Sequence, residues 1–149
     1  MTSYNPDIFT QFIFDALSAD ASITSLVTGI YSYALQETDP PYLLIEIDNA
    51  RPLNAAEFAG LEIEFTIKCY SVEASYSESF AIMEKVFAAL QDYTGSTEGS
   101  TEGSTGSTEG STEGYQIINT RLVDSEYERF LDGNGIQASL EFRSIIQEN

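Results

Sequence analysis

The sequence predicts an α+β domain: a four-stranded, mainly antiparallel sheet with two long helices packed on one face, plus a disordered Gly/Ser/Thr/Glu insert. Apolar and polar residues alternate from Leu61 to Tyr70, and a period of two places the apolar set on one face of a strand. Two other segments carry apolar residues at helical spacing. The predicted order is helix, short helix, two strands, helix, two strands, which is typical of α+β domains.

The two central strands of this sheet are predicted at 41–49 and 60–70. In the first, Ile45 and Ile47 alternate with acidic residues, so one face of the sheet can be covered while the other is wetted. The segment between them, 49–59, reads as a connection. It is long for a hairpin, and long connections in compact domains tend to be functional or mobile.

The predicted helices lie on either side of this strand pair. The first begins at Asn5-Pro6-Asp7, a favourable helix start, and stops near Ser18. Asp20 is expected to cap a short second helix. Before the long helix at 80–90, Ser75 and Glu78 have the spacing of a capping box.

The second half of the domain contains an insert. Residues 95–114 consist only of Gly, Ser, Thr and Glu, which cannot pack, so we expect a flexible, hydrated segment inside a single domain, 1–149. It is either a natural duplication in a surface loop or an engineered replacement. Strands are predicted at 116–129 and from Ile136 onward, paired as a hairpin through the turn residues 132–135.

The composition excludes several classes of function. The chain has 149 residues, 24 acidic and 6 basic side chains, no histidine and a formal net charge of −18. Such a charge disfavours binding to nucleic acid and to anionic membranes. It is compatible with a protein that lines a channel for DNA, where repulsion of the phosphates is useful. Without histidine there is no Ser-His-Asp triad. We also find no phosphate-binding or dinucleotide motif. The sequence therefore predicts no catalytic, cofactor-binding or metal-binding residues.

Cysteine usage and the start of the chain add little to the functional prediction. Cys69 is alone and falls on the apolar face of its strand, which predicts a buried thiol and no internal disulfide. The first residues lack the basic start and apolar run of a signal peptide. The longest apolar runs are too short to span a bilayer.

An acidic row is the main candidate for a functional surface. Asp124, Glu126 and Glu128 share one face of a regular strand, and Glu62 and Glu64 on a neighbouring strand extend it. Such a row can bind a divalent metal or perform acid–base chemistry, and it is also typical of a solvated strand face. The segment 132–135 begins like a calcium loop, but Ile136 stands where a ligand is needed.

Tyrosines form a second candidate surface. Tyrosine provides contact area at low entropic cost and is enriched in interfaces. Those predicted at strand ends, strand faces or loops are Tyr31, Tyr33, Tyr42, Tyr70, Tyr76, Tyr115 and Tyr127. They either serve such contacts or cover the edges of a small core.

The order of these segments resembles the tail terminator (tail completion) proteins of long-tailed bacteriophages and gene transfer agents. The resemblance rests on the helix ending Ala16-Leu17-Ser-Ala-Asp20, then Ile23, Leu26-Val27, Gly29-Ile30-Tyr31, Asp39-Pro-Pro-Tyr42-Leu-Leu-Ile45, Cys69-Tyr70-Ser71 and Val86-Phe-Ala-Ala-Leu90. It implies a hexameric ring on the tail tube that ends tube polymerisation and meets the head connector, with DNA passing through. It implies no active site and no cofactor.

This resemblance suggests roles for two sets of residues and a list of partners. We expect Arg51, Leu53 and Phe58 to contact a neighbouring subunit or the tube. We expect Glu62, Glu64, Asp124, Glu126 and Glu128 to line the channel, so that DNA slides without specific binding. The implied partners are further copies of the chain, the tail tube protein and the connector protein, in a virion tail or neck assembled in the host cytoplasm. Another neck component, or a small acidic metal-binding domain or enzyme, remains an alternative.

Overall fold

The computed structural model describes residues 6–32, 39–55, 58–72, 75–96, 115–129 and 135–148. The helices are α1 (Pro6–Ser18), α2 (Ala21–Thr24) and α3 (Ser77–Leu90). The strands are β1 (Ile30–Tyr31), β2 (Tyr42–Ala55), β3 (Phe58–Ser71), β4 (Gly95–Ser96), β5 (Tyr115–Arg129) and β6 (Ile136–Glu148).

All described strands form one mixed sheet in the order β1-β2-β3-β6-β5-β4. The long strands β2, β3, β6 and β5 are antiparallel to their neighbours, and the two-residue strand β1 is parallel to β2. The α+β class is therefore confirmed. The predicted count of four strands is too low, because β1 and β4 add a short piece at each edge.

One face of the sheet carries the core, beneath α1 and α3. Phe65 at the centre of β3 is fully buried, with the ring of Phe9 from α1 edge-on at 5.0 Å and that of Phe142 from β6 stacked at 5.4 Å. The alternating apolar residues of β3 are all buried here: Leu61, Ile63, Phe65, Ile67 and Cys69. The period of two predicted this face, and burying it is the main stabilising contribution to the fold.

The predicted connection 49–59 is wrong, because β2 continues to Ala55 and β3 starts at Phe58. A bulge between Ile47 and Asn49 shifts the register of β2. Asp48 is therefore an extra residue, and the apolar–polar alternation changes phase beyond it. The strand then includes Pro52, which an edge strand tolerates because its missing N–H need not serve a ladder inside the sheet.

The capping prediction is confirmed for α2 and wrong for α3. Asp20 accepts a hydrogen bond from the Ser22 N–H at 2.9 Å and caps α2. At α3, Ser75 Oγ accepts from the Ser77 N–H at 3.0 Å, while the carboxylate of Glu78 accepts from the hydroxyl of Ser71. Glu78 thus ties the helix start to the end of β3 and does not close a capping box.

The first two residues of the predicted insert belong to the sheet, because β4 pairs with residues 116–117 of β5. Residues 97–114 and the predicted turn residues 132–134 lie outside the described part of the chain. None of the described helices is long and apolar enough to cross a membrane.

Candidate functional site: the open face of the sheet

The face of the sheet opposite the helices, here called the open face, is mostly polar, although it also carries Leu44 and a tyrosine cluster at one end. Its side chains form cross-strand rows, because directly paired residues point to the same side. One row joins Glu46, Thr66, Glu141 and Asp124 across β2, β3, β6 and β5. The rows place all five predicted channel carboxylates on this face.

One end of the open face is an ion-paired cluster. Glu62 Oε1 lies 3.3 Å from Arg51 Nε and Glu62 Oε2 lies 3.3 Å from Arg143 Nε. Glu64 Oε2 lies 3.4 Å from Arg51 Nη2 and 3.5 Å from Arg143 Nη2. The two arginines, both about half-exposed, therefore bracket the two carboxylates and locally compensate their charge.

The middle of the open face is a shallow acidic depression of about 380 Å³. Its lining residues are Glu46, Asp48, Thr66, Lys68, Asp124, Ser125, Glu126, Gln137, Ser139 and Glu141. Lys68 Nζ lies 3.1 Å from Glu46 Oε1, and this hydrogen bond raises the pKa of Lys68. Lys68 is the only base among the lining residues, so the depression carries excess negative charge.

Glu141 is the carboxyl group most affected by this excess. Burial raises its pKa above the ordinary glutamate value, and the charges of Asp48, Glu64 and Asp124 add to the shift. Asp124 is its direct cross-strand partner, and like charges at such positions destabilise a sheet.

We expect Glu141→Gln to stabilise the isolated protein at neutral pH by roughly 0.5 kcal/mol. Because the pKa of Glu141 is raised in the folded state, folding favours its protonated form. Wild-type Glu141 therefore contributes stability at pH values below its unfolded-state pKa. This contribution is lost as the pH rises through the raised pKa of the folded state. The gain from glutamine should therefore disappear in acid. Urea unfolding at several pH values measures it, with Glu84→Gln on the outer side of α3 as the control. A gain that is independent of pH would contradict the electrostatic cause.

Aromatic clusters occupy the other end of the sheet, on both faces. On the open face the rings of Tyr42 and Tyr70 stack at 5.1 Å, and Tyr31 packs edge-on against Tyr42 at 6.0 Å. On the helix side, Tyr127 meets Phe80 at 4.9 Å, and Phe80 is 52% exposed.

The helix-side cluster continues to the end of β5. Tyr76 stacks on Phe80 at 5.6 Å, and the Arg129 guanidinium lies 4.9 Å from the centre of the Tyr76 ring. Tyr42, Tyr70, Tyr76 and Tyr127, predicted as contact or edge residues, therefore lie half-buried at one end of the sheet. Tyr33 lies outside the described residues, as does the side chain of Tyr115.

The predicted contact residues follow one another along the hairpin of β2 and β3, where Phe58 pairs with Ala55. Arg51 lies on the open face within the ion-paired cluster, and Leu53 is half-buried further along β2. Phe58 begins β3, but its side chain lies outside the described part of the chain.

One expectation about the acidic row needs correction. Glu62 and Glu64 do not lie on a strand next to β5, because β6 stands between β3 and β5. In addition, both carboxylates are paired with arginines. Sequence reasoning missed Glu46, Asp48 and Glu141, although the alternation of β2 and β6 could have placed Glu46 and Glu141 on this face.

The described residues offer little for chemistry. Among them there is no group of three or more Cys, Asp or Glu side chains placed to hold a metal ion. Cys69 is buried beneath the helices, and burial raises the pKa of its thiol to about 12, which leaves almost no thiolate at neutral pH. What the open face offers is a broad charged surface.

The family comparison decides how this surface is interpreted. The family model described as tail completion protein gp17 matches residues 11–147. The chain belongs to this family. Tail completion proteins are structural proteins of the virion, so this tail completion protein has a tail-terminator structural role in the tail or neck of the particle.

Other comparisons concern the fold. The tail completion protein is similar to a chain in a solved structure described as the virion of a native gene transfer agent (GTA) particle. The TM-score is 0.63, the sequence identity is 17%, and 92% of each chain is covered. No curated protein sequence matches the chain.

Proposed function

We propose that the protein acts without catalysis, as a homohexameric ring that caps the tail tube, ends its polymerisation and offers its other face to the head connector. The observation that carries this proposal is the family match over residues 11–147. The ring and its partners follow from the role of a tail terminator, since a cap on a tube must match the symmetry of the tube. In a closed ring each subunit contacts its neighbours through two different patches.

We further propose that the open face lines the hole of the ring and that DNA passes over it. The helix side is covered by α1 and α3, whereas the open face exposes carboxylates that repel phosphates. The acidic depression, which Asp124 and Glu126 line, would supply most of this repulsion together with Glu128 beside it on β5. Glu62 and Glu64 would contribute less, because Arg51 and Arg143 compensate them.

Two measurements test the proposed function. Light scattering of the purified protein should give a mass of about six subunits, and addition to polymerising tail tube protein should stop growth and leave a ring at one tube end in negative-stain images. A protein that stays monomeric at high concentration would contradict the ring. A ring that leaves tube growth unchanged would point to another component of the neck.

A further inference from the structure

Half of the six basic side chains of the protein lie together at one end of the open face. Arg51 and Arg143 belong to the ion-paired cluster with Glu62 and Glu64. Arg121 on β5 pairs directly with Arg143 on β6, so its side chain points to the same face. These three arginines and two glutamates are here called the arginine end. Three positive and two negative side chains give it a formal charge of +1, in a chain that carries −18.

Arg121 and Arg143 form a like-charged cross-strand pair. Direct cross-strand partners have Cβ atoms about 5 Å apart, and like charges at such positions destabilise a sheet. The ion pairs of the described residues include Arg143 but not Arg121. An acidic residue opposite Arg143 would stabilise the isolated subunit better. An anion bound between the two guanidinium groups would offset their repulsion.

The glutamates of the arginine end use one edge of each neighbouring guanidinium group. Glu62 and Glu64 contact Nε and Nη2 of Arg51, and they contact the same two atoms of Arg143. The Nη1 atoms are not part of these contacts, and each carries N–H donors in the plane of the group. The carboxylates therefore hold both arginines in place and leave donors for a further acceptor. Both arginines are about half-exposed and Arg121 is exposed, so an anion in solution can reach them.

The donors at the arginine end suit a phosphate group better than a carboxylate. Arg121 brings a whole guanidinium group, and Arg143 adds the donors on Nη1. A single guanidinium can bind both oxygens of a carboxylate, which leaves nothing for a second arginine. A tetrahedral phosphate presents oxygens in several directions, so two arginines can share it.

We propose that Arg121 and Arg143 bind a phosphate group of the DNA backbone as DNA passes over the open face, and that Glu62 and Glu64 position Arg143 for this contact. The inference rests on the proposed function, in which the open face lines the hole. Every subunit of a ring repeats the pair, so DNA meets arginine pairs all around the hole. Contacts to phosphates carry no sequence information, and the DNA is therefore positioned without being read.

The acidic depression limits the strength of this contact. Its lining contains five carboxylates and a single base, Lys68. The row of Glu141 and Asp124 is next to the row of Arg143 and Arg121 along the strands. The open face as a whole is therefore acidic, and one subunit should not hold duplex DNA at physiological salt. The arginine end gives the DNA one place of contact, while the depression keeps the rest of the face from adhering.

Chemical modification of arginine tests the site residue by residue. Phenylglyoxal reacts with accessible guanidinium groups, and a bound anion blocks the reaction. Peptide mass spectrometry gives a rate for each arginine of the wild-type protein, in sodium phosphate and in sodium chloride of equal ionic strength. We expect saturating phosphate to slow the modification of Arg121 and Arg143 by at least about fivefold, since only the unbound fraction reacts. Arg129, beside Tyr76 on the helix side, is the internal control and should change by less than about twofold, because both buffers screen charges equally.

Two further probes separate the DNA backbone from free phosphate. A thymidine dinucleotide carries one phosphodiester and is small enough to avoid most of the repulsion that duplex DNA meets. Protection of Arg121 and Arg143 by the dinucleotide supports contact with DNA. The nucleoside thymidine lacks the phosphate and should protect neither. Protection by inorganic phosphate alone would assign the site to the free ion and overturn the contact with DNA.

Two variants test whether the arginines act as a pair. Arg121→Gln removes one member, and Lys85→Gln removes an exposed base of α3 as the matched control. In Arg121→Gln, phosphate should no longer slow the modification of Arg143. In chloride this variant should also unfold at a higher urea concentration than the wild type, because the like-charged pair is gone. Lys85→Gln should keep the protection of Arg143. Undiminished protection in Arg121→Gln would overturn the paired site.

The remaining outcomes separate this inference from the proposed function. Equal slowing at Arg129, or no protection at all, overturns the phosphate site even where the ring forms. If Arg121→Gln breaks the ring and phosphate protects nothing, Arg121 binds a carboxylate of a neighbouring copy, which also overturns the inference. If the wild-type protein forms no ring, the proposed function fails and the contact with passing DNA fails with it. Protection measured on single subunits would then still show whether the anion site exists.

Discussion

Replacing Phe65 with alanine should lower the free energy of unfolding by about 4 kcal/mol. Phe65 is fully buried at the centre of β3, between the rings of Phe9 and Phe142. The substitution removes apolar area, leaves a cavity beneath α1 and loses two aromatic contacts. A domain of this size is stable by about 5–15 kcal/mol, so the variant should be close to unfolding at 37 °C.

Urea unfolding followed by circular dichroism measures this loss, at concentrations low enough to keep the protein unassembled. Phe65→Leu keeps most of the volume and should cost only about 1–2 kcal/mol. Phe87→Ala on α3 is a matched control, because Phe87 is 39% exposed and should cost less than about 1 kcal/mol. A loss below about 1.5 kcal/mol for Phe65→Ala would mean that the helices do not pack on this strand as the structure shows.

The strands with strict alternation could be predicted from the sequence. Along β3 every second residue from Leu61 to Cys69 is apolar, and each of them is buried. β6 shows the same pattern, and its hairpin with β5 is confirmed. A period of two needs no knowledge of the neighbouring strands, because it depends only on the geometry of the extended chain.

The bulges in β2 and β5 explain why the apolar–polar alternation predicted these two strands less well. β2 carries Asp48 as an extra residue, and beyond it Arg51 and Pro52 look like loop residues. β5 has register shifts at Ile118 and Val123, which are 39% and 47% exposed, and its alternation is correspondingly weak. A bulge moves later side chains to the other face. A single sequence does not show which residue is extra, because this depends on the partner strand.

The sequence was enough to predict that acidic residues share one face of a strand, but not which of the charged residues form ion pairs. The period of two places Asp124, Glu126 and Glu128 together, whereas Arg143 meets Glu62 and Glu64 only because β6 lies between β3 and β5. Two hairpins can associate through either strand, so the sequence left this order open. The structure shows that the acidic excess lies around Glu141 and not at Glu62.

The second large effect that we expect is a gain of DNA binding when charges in and beside the acidic depression are reversed. Wild-type protein should not bind duplex DNA at physiological salt, because its carboxylates repel phosphates and cannot release condensed counterions. The triple variant Glu126→Lys/Glu128→Lys/Glu141→Lys reverses three charges on the open face. We expect it to bind DNA without sequence preference, with a Kd of about 10 μM near 0.1 M salt, in the usual range for such binding.

Fluorescence anisotropy with a labelled duplex, over a series of salt concentrations, measures this change. The logarithm of the affinity should fall linearly with the logarithm of the salt concentration, with a slope of about −0.9 per phosphate contacted. Asp15→Lys/Asp39→Lys/Glu84→Lys makes the same change in net charge at exposed positions away from the open face. If the open face lines the hole, DNA held there meets lysines from every subunit, so the open-face variant should bind far more tightly than this control. Equal affinities would show that only net charge matters, and micromolar binding by the wild type would exclude an open face that repels DNA.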